Sequence, residues 1–345
     1  MLPSSVRKRD IETIEHTVKD ALTLVPADHS LCVLLIGSWS QGLGTPTSDI
    51  DLVVISEVRL SGDWWQNFQR QIALSLGWTQ VENITRDEFK RLIGKTQIPV
   101  YSPLSSRTLE LAFKYANCLV LHGHEDFVEL KSDFSLSEFS VKMADYYISK
   151  SMNIYQDILG ARLTEDYRSA VIAVRELVGL GVDAVLALEG DAYPKAKWRV
   201  KRARRLPLEQ ALLDAIDRFL IGGPSGDYLA QWQWVEAALM FFRQLHFYAA
   251  FPGAAKAIAF PTLSAPCPGN PWAFALRANE KWRITRDDRI YEASQQSVLV
   301  WFVLAMGVSC EQLGLMFEVG SGPFSEECGS TLEQHQQFLK ALGAL

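Results

Sequence analysis

The apolar residues of this chain change their rhythm along its length. Near the N-terminus Ile11, Ile14, Val18, Ala21 and Leu22 recur at helical intervals, which predicts an amphipathic helix over Ser5 to Leu24, closed by Pro26. Two wholly apolar runs follow, Leu31 to Ile36 and Ile50 to Ile55, both short enough for buried strands, with a Gly/Ser/Thr/Pro-rich loop from Gly37 to Ser48 between them. Gly62 to Leu76 reads as a helix with Trp65, Phe68, Ile72 and Leu76 on one face. Trp78 to Ile84 reads as a third strand, Asp87 to Ile93 as a short helix, Leu104 to Tyr115 as a helix, and Cys118 to Leu121 as extended chain. Alternating strands and helices predict a sheet domain ending near Asp126.

Beyond that point the helical rhythm takes over. Ser135 to Leu159, Tyr167 to Leu188, Leu208 to Leu220 and Tyr228 to Phe247 all carry it with few breakers, and Glu292 to Leu315 returns to it after a Pro/Ala-rich stretch at Pro252 to Pro271. This predicts a domain at residues 1–130 and an all-helical bundle domain at 131–345. A chain of 345 residues is long enough to bury a core in each.

Charge and cysteine usage narrow the classes. A net charge of -6 argues against a protein that coats nucleic acid, since such proteins usually carry a basic surplus. The five cysteines include no CxxC pair, so the usual zinc spacings are absent and a disulfide scaffold is not indicated. The polar start of the chain has no signal-peptide pattern, and the longest apolar stretch, Val298 to Cys310, falls short of the roughly 20 residues of a bilayer span. The expectation is a cytoplasmic protein.

The chemistry concentrates in Leu35-Ile36-Gly37-Ser38-Trp39-Ser40-Gln41-Gly42 and Ser48-Asp49-Ile50-Asp51-Leu52. Asp49 and Asp51 are two apart along a strand, so both carboxylates project to one face, where they repel each other unless a cation lies between them. Mg²⁺ suits such a pair, because it takes hard oxygen ligands, keeps several waters and accepts substrate phosphates. Glycine at 37 permits close backbone approach, and backbone N–H groups with the Ser38 hydroxyl can hold phosphate oxygens. A Gly-Ser turn alone carries no such meaning; the pairing with Asp49-x-Asp51 does.

On these residues the chain resembles the nucleotidyltransferase superfamily that includes polymerase beta, and within it the minimal and aminoglycoside nucleotidyltransferases. The resemblance covers roughly residues 30–126. It implies an α+β fold, with a mixed sheet flanked by helices, followed here by the helical bundle. It also implies Asp49 and Asp51 as ligands of two Mg²⁺ ions, Gly37 and Ser38 as triphosphate contacts with Ser40 assisting, and an NTP, with ATP the first expectation, as co-substrate. The family usually has a third carboxylate on a neighbouring strand. Glu82 falls on the predicted third strand and is the first choice for this catalytic and metal-binding position; Glu110, in a helical context, is the competitor.

Weaker signals lie further on. Lys195 to Arg205 places seven basic residues in eleven positions. Its opening, Tyr193-Pro194-x-x-Lys197-Trp198, resembles a segment of the helical domain after many such nucleotidyltransferase domains, which makes Lys197 a nucleotide-contact candidate. The run suits a polyanionic acceptor such as tRNA as well as it suits a solvated face. Glu176 and Asp183 share a helix face and are candidate general bases, although most helix acids are merely solvated. His122-Gly123-His124-Glu125-Asp126 reads as a strand-end turn rather than a metal site.

The expected reaction is NTP + acceptor → NMP-acceptor + pyrophosphate, with the helical domain contacting a hydroxyl acceptor. An aminoglycoside-like small molecule ranks first because a negatively charged protein attracts cationic acceptors. Nucleotidylation of a macromolecule ranks second, as AMP placed on a partner protein or nucleotides added to tRNA. A non-catalytic nucleotide-binding or antitoxin module ranks third.

Overall fold

The computed structural model describes residues 19, 30–45, 48–60, 69–74, 77–96, 105–252, 270–278, 281–286, 289–305 and 332–341. Apart from Lys19, the helix expected at Ser5 to Leu24 lies outside these residues, as do most of the Pro/Ala-rich stretch and the helix expected beyond 305. The described chain divides into two compact units, one within Met1–Val141 and Gly190–Trp198, the other within Lys142–Glu189 and Arg199–Leu345, beside the expected division at 130/131.

The first unit is built on a five-stranded mixed sheet. Its strands are β1 (Ser30–Ile36), β2 (Ile50–Ser56), β3 (Gln69–Leu74), β4 (Gly77–Thr85) and β5 (Leu119–His122), in spatial order β3-β4-β2-β1-β5. The β2/β4 pair is parallel and the other pairs are antiparallel. Apolar runs make β1 and β2 strands buried on both faces. Val33, Leu35, Ile50, Leu52 and Val54 pack on one side, while Leu34, Ile36, Val53 and Ile55 pack on the other against Phe89, Ile93 and Tyr115. Those last three come from α2 (Arg86–Thr96) and α3 (Ser106–Ala116), which with α4 (His124–Leu130) cover that face; a single turn, α1 (Gly37–Ser40), follows β1.

α2 starts where a capping box predicts. The Thr85 hydroxyl accepts from the Glu88 N–H at 3.2 Å, and the Glu88 carboxylate accepts from the Thr85 N–H at 2.8 Å. The helix expected over Gly62 to Leu76 needs correction. Within it Gln69–Leu74 forms the edge strand β3, paired with β4 from Gln69↔Glu82 to Leu74↔Gly77. The helical spacing of a few apolar residues is a local preference, and backbone pairing across a two-residue connection overrides it.

The second unit is mainly helical. It contains most of α5 (Leu136–Leu163), then α6 (Tyr167–Leu188), α7 (Arg199–Arg204), α8 (Gln210–Leu220), α9 (Tyr228–Ala250), α10 (Gln295–Ala305) and α11 (Leu332–Ala341). Its core joins Leu177, Phe219, Phe242, Trp301 and Phe302. Asp166 and Asp227 start α6 and α9 by accepting from the N–H groups of Ser169 and Ala230 at 3.1 and 2.9 Å. To the expected helices the structure adds an antiparallel meander of β6 (Ala273–Ala278), β7 (Lys281–Arg286) and β8 (Arg289–Ala293). Trp282 and Ile284 of β7 enter the helical core while Lys281 stays in solvent, so the bundle is not wholly helical. The fold class is α+β. Among the described residues no helix is long and apolar enough to cross a membrane.

Candidate functional site

Asp51 sits one residue into β2, opposite Ile36 at the end of β1. The chain leaves β1 through Gly37, whose φ of +76° lies in the left-handed region that favours glycine. A Cβ at position 37 would fall 2.1 Å from Oδ2 of Asp51, so the carboxylate occupies the space that any other residue would fill. Sequence placed glycine and aspartate fourteen residues apart; the β1/β2 pairing brings them into contact.

Hydrogen bonds fix the turn from behind. The wholly buried Ser40 hydroxyl donates to the Gly37 carbonyl at 3.0 Å and accepts from Nε2 of Gln41 at 3.0 Å. Ser40 therefore holds the shape of the turn. The Ser38 hydroxyl makes no hydrogen bond among the described residues. Across the loop, Nε1 of Trp39 donates to the Ser48 carbonyl at 3.2 Å, and the Ser48 hydroxyl accepts from the Thr45 N–H at 3.0 Å. These bonds anchor the approach to Asp49, which is exposed immediately before β2.

Glu82 pairs through β4 with Val53, so it shares the helix-covered face with Asp51, two residues or roughly 7 Å further along the neighbouring strand. The Tyr115 hydroxyl donates to Oε2 of Glu82 at 2.9 Å. Burial, the Glu82 charge and this hydrogen bond together push the Tyr115 phenol well above its ordinary range, so it stays a donor. Glu110 lies on α3 and carries two cations, with Nζ of Lys195 at 2.5 Å and Nζ of Lys114 at 2.9 Å. Burial pushes the Glu110 carboxyl up, but the two ammonium groups outweigh it and hold the group below the usual range.

Asp51 shows the electrostatic character of the site. Burial first, and then the negative charge of Asp49, push its carboxyl up to about 6; Lys114 and Lys195 pull the other way, and Glu82 adds to the rise. For a carboxylate so placed, the positive charge of the two lysines does not outweigh burial and the neighbouring acids. Among the described residues no three of His, Cys, Asp and Glu stand close enough to enclose a metal ion. The donor set fits Mg²⁺ nonetheless, because that ion needs only one or two protein carboxylates when waters and phosphates complete its shell.

Of the other residues singled out from sequence, Lys197 is exposed with its ammonium 5.2 Å from the centre of the Trp198 ring. Lys195, two residues earlier, is the cation of that segment whose charge reaches Asp51. Sequence reasoning counted Lys195 in the basic run but favoured Lys197, and it missed Lys114 and Tyr115. The spacing of Glu110 and Lys114 as an i, i+4 helix pair was a readable hint; Tyr115 bonding to Glu82 had none. In the second unit, Asp183 is 3% exposed and held by Nε of Arg199 at 2.7 Å and Nη1 of Arg202 at 2.8 Å, which leaves it no freedom to act as a base. Arg199 reaches Glu176 at 3.3 Å and Arg204 reaches Asp217 at 2.6 Å. Much of the basic run is thus spent on internal carboxylates.

No protein-family model matches this chain, and no curated protein matches it. Among solved structures it is similar to the crystal structure of a nucleotidyltransferase-like protein from Exiguobacterium sibiricum 255-15, at 14% identity over 70% of this chain and 79% of that one, with a TM-score of 0.33. At that level the fold class rests on the strand order and register of this chain itself.

Proposed function

We propose that this chain is a Mg²⁺-dependent nucleotidyltransferase, moving a nucleoside monophosphate from an NTP to a hydroxyl acceptor. The observation that carries the reading is the packing of the Asp51 carboxylate against Gly37, with Asp49 beside it. It puts a glycine-serine turn suited to phosphate oxygens and an acid pair suited to a divalent cation in one place. In the reaction the acceptor hydroxyl oxygen forms a bond to the α-phosphorus, the bond to the bridging α,β-oxygen breaks, pyrophosphate leaves, and the hydroxyl proton passes to a base.

In this reading Asp49 and Asp51 hold the cations, two in number, and Glu82, oriented by Tyr115, supplies a third carboxylate on the same face of the sheet. Mg²⁺ bound there would offset the negative charge gathered on the triphosphate. Gly37 and Ser38 hold the β- and γ-phosphates, with Ser40 keeping their turn in shape. Lys195 and Lys114, both carried by Glu110, supply positive charge beside the acids; Lys197 is the alternative cation of that segment. ATP is the first co-substrate to try.

For the acceptor, a cationic small molecule of aminoglycoside type fits the net charge of -6. Transfer to tRNA or to a partner protein is the second reading. Its footing was the basic run, of which Lys195, Arg199, Arg202 and Arg204 are engaged by Glu110, Asp183 and Asp217.

The test offers α-³²P-labelled ATP, GTP, CTP and UTP with Mg²⁺ to aminoglycosides, tRNA and cell protein. The expected result is Mg²⁺-dependent label on one acceptor class, lost in Asp51→Asn while that variant keeps the wild-type circular dichroism. Full transfer by Asp51→Asn would refute the site. Tight NTP binding without turnover on any acceptor would favour a non-catalytic nucleotide-binding module.

A further inference from the structure

The second unit has a cleft that the reading above does not use. It lies where α8 gives way to α9, and its volume is about 410 Å³. Arg218 at the end of α8, the loop Gly222–Ser225, and Gln233 with Trp234 on α9 line it. No acid is among its lining residues. A space of this size suits a small organic molecule rather than a bare ion.

Two guanidinium groups give the cleft its character. Arg218 is exposed, lies 5.1 Å from the centre of the Phe219 ring, and makes no ion pair with any described carboxylate. Behind the loop, Nη2 of Arg175 donates to the Gly222 carbonyl at 2.6 Å, and its guanidinium lies 5.7 Å from the centre of the Trp234 ring. Nε of Arg175 is buried with no hydrogen-bond partner. Of the acids nearest in sequence, Asp217 pairs with Arg204 and Asp227 caps α9, while the exposed Asp214, one turn before Arg218, accepts from Gln210. In a chain with a net charge of -6, these two arginines form no ion pair among the described residues.

The loop is held in the shape that makes the cleft. The Gly222 N–H closes onto the Asp217 carbonyl at 3.0 Å, and the Gly226 carbonyl accepts from Nε2 of Gln231 at 3.2 Å. A Cβ on Gly223 would come within 2.8 Å of Nη2 of Arg175, so glycine there lets the backbone lie directly on the guanidinium. Arginine's planar fork matches the oxygens of a phosphate or carboxylate. Pro224, Ala230 and Trp234 supply apolar surface for the body attached to such a group.

We infer that this cleft is a binding site for a small organic anion, a molecule bearing one phosphate or carboxylate on a compact apolar body. Arg218 grips the oxyanion from the rim, and Arg175 biases the floor from beneath the glycine loop. The inference is independent of the catalytic reading and stands or falls separately.

The test uses the full chain labelled with ¹⁵N and three probes: phenyl phosphate, benzoate and the neutral benzyl alcohol. Saturable shifts of the Gly222, Gly223 and Ser225 amides are expected with the anions and not with the alcohol. The tighter of the two anions identifies the group recognised. Arg218→Glu should weaken binding about tenfold or more while leaving the melting temperature unchanged, since the side chain is exposed, and Arg218→Lys should retain part of the affinity. Equal shifts with benzyl alcohol, shifts located elsewhere, or undiminished binding by Arg218→Glu would each overturn it.

Discussion

Two aspartates in this chain, the buried Asp183 and the half-buried Asp51, meet opposite fates. Asp183, on α6, faces the guanidinium groups of Arg199 and Arg202, and pairs with the wholly buried Arg202 in the interior. Gly179, one turn earlier, leaves room for the network, since a Cβ there would meet Nη1 of Arg199 at 2.3 Å. Asp51, on β2, faces another acid and a glycine turn, and its carboxyl is pushed up to about 6 by burial and by Asp49. The first arrangement completes itself and serves stability. The second is left short of positive charge, as a site awaiting a cation is, and costs the fold something to keep.

The comparison can be broken most forcefully at Arg202. Replacing it by alanine leaves Asp183 with Arg199 as its guanidinium partner, and loss of one partner of a buried ion pair costs up to about 3–5 kcal/mol. Urea unfolding of Arg202→Ala should show a drop of that order, with Lys201→Ala, an exposed neighbour, near wild type. A consequence follows for the tRNA reading: loss of RNA retention in Arg202→Ala would report unfolding, so the exposed lysines are the residues to change. If Arg202→Ala unfolds like wild type, the network is not the structural element described.

Asp51 predicts a change of opposite sign. Its folded-state pKa of about 6 lies above the ordinary aspartate value of 3.8, so below about pH 4 both states hold the proton and the group carries no penalty. As pH rises from 4 through 6 the folded chain gives up a proton that it binds more tightly than the unfolded chain does, and stability falls. Asp51→Asn, which never ionises, should therefore be more stable than wild type by about 1–2 kcal/mol at pH 8 without divalent ions, allowing for screening by solvent. The advantage should vanish at pH 4. Denaturant midpoints of both proteins across that range check it; an Asp51→Asn chain less stable than wild type at pH 8 would contradict the electrostatic account.

The same contrast explains what the sequence could and could not reveal. β1 and β2 were legible because apolar runs buried on both faces have little else to become, and the Gly37-Ser38 and Asp49-x-Asp51 spacing pointed to the candidate site. β3 was not legible, since an edge strand is made by pairing with β4 and its apolar residues happened to fit a helical spacing. The meander left a trace in the alternation of Lys281, Trp282, Arg283 and Ile284, which the surrounding helices overshadowed. Lys195 and Lys197 differ by two positions in a short turn that sends one to Glu110 and the other over Trp198, a choice that spacing cannot make. Likewise the basic run looked like a surface for polyanions until Asp183 and Glu110, distant in sequence, were seen to claim its members.

The central claim is that Asp49 and Asp51, set against the Gly37 turn, hold divalent ions together with a triphosphate. Electron paramagnetic resonance of Mn²⁺, titrated into the protein with a non-hydrolysable ATP analogue whose α,β-bridge is carbon, measures this directly. Wild type should bind two Mn²⁺ per chain in the presence of the analogue, and Asp51→Asn should bind neither with comparable affinity. Equal Mn²⁺ binding by the two proteins, or none by wild type, would contradict the account.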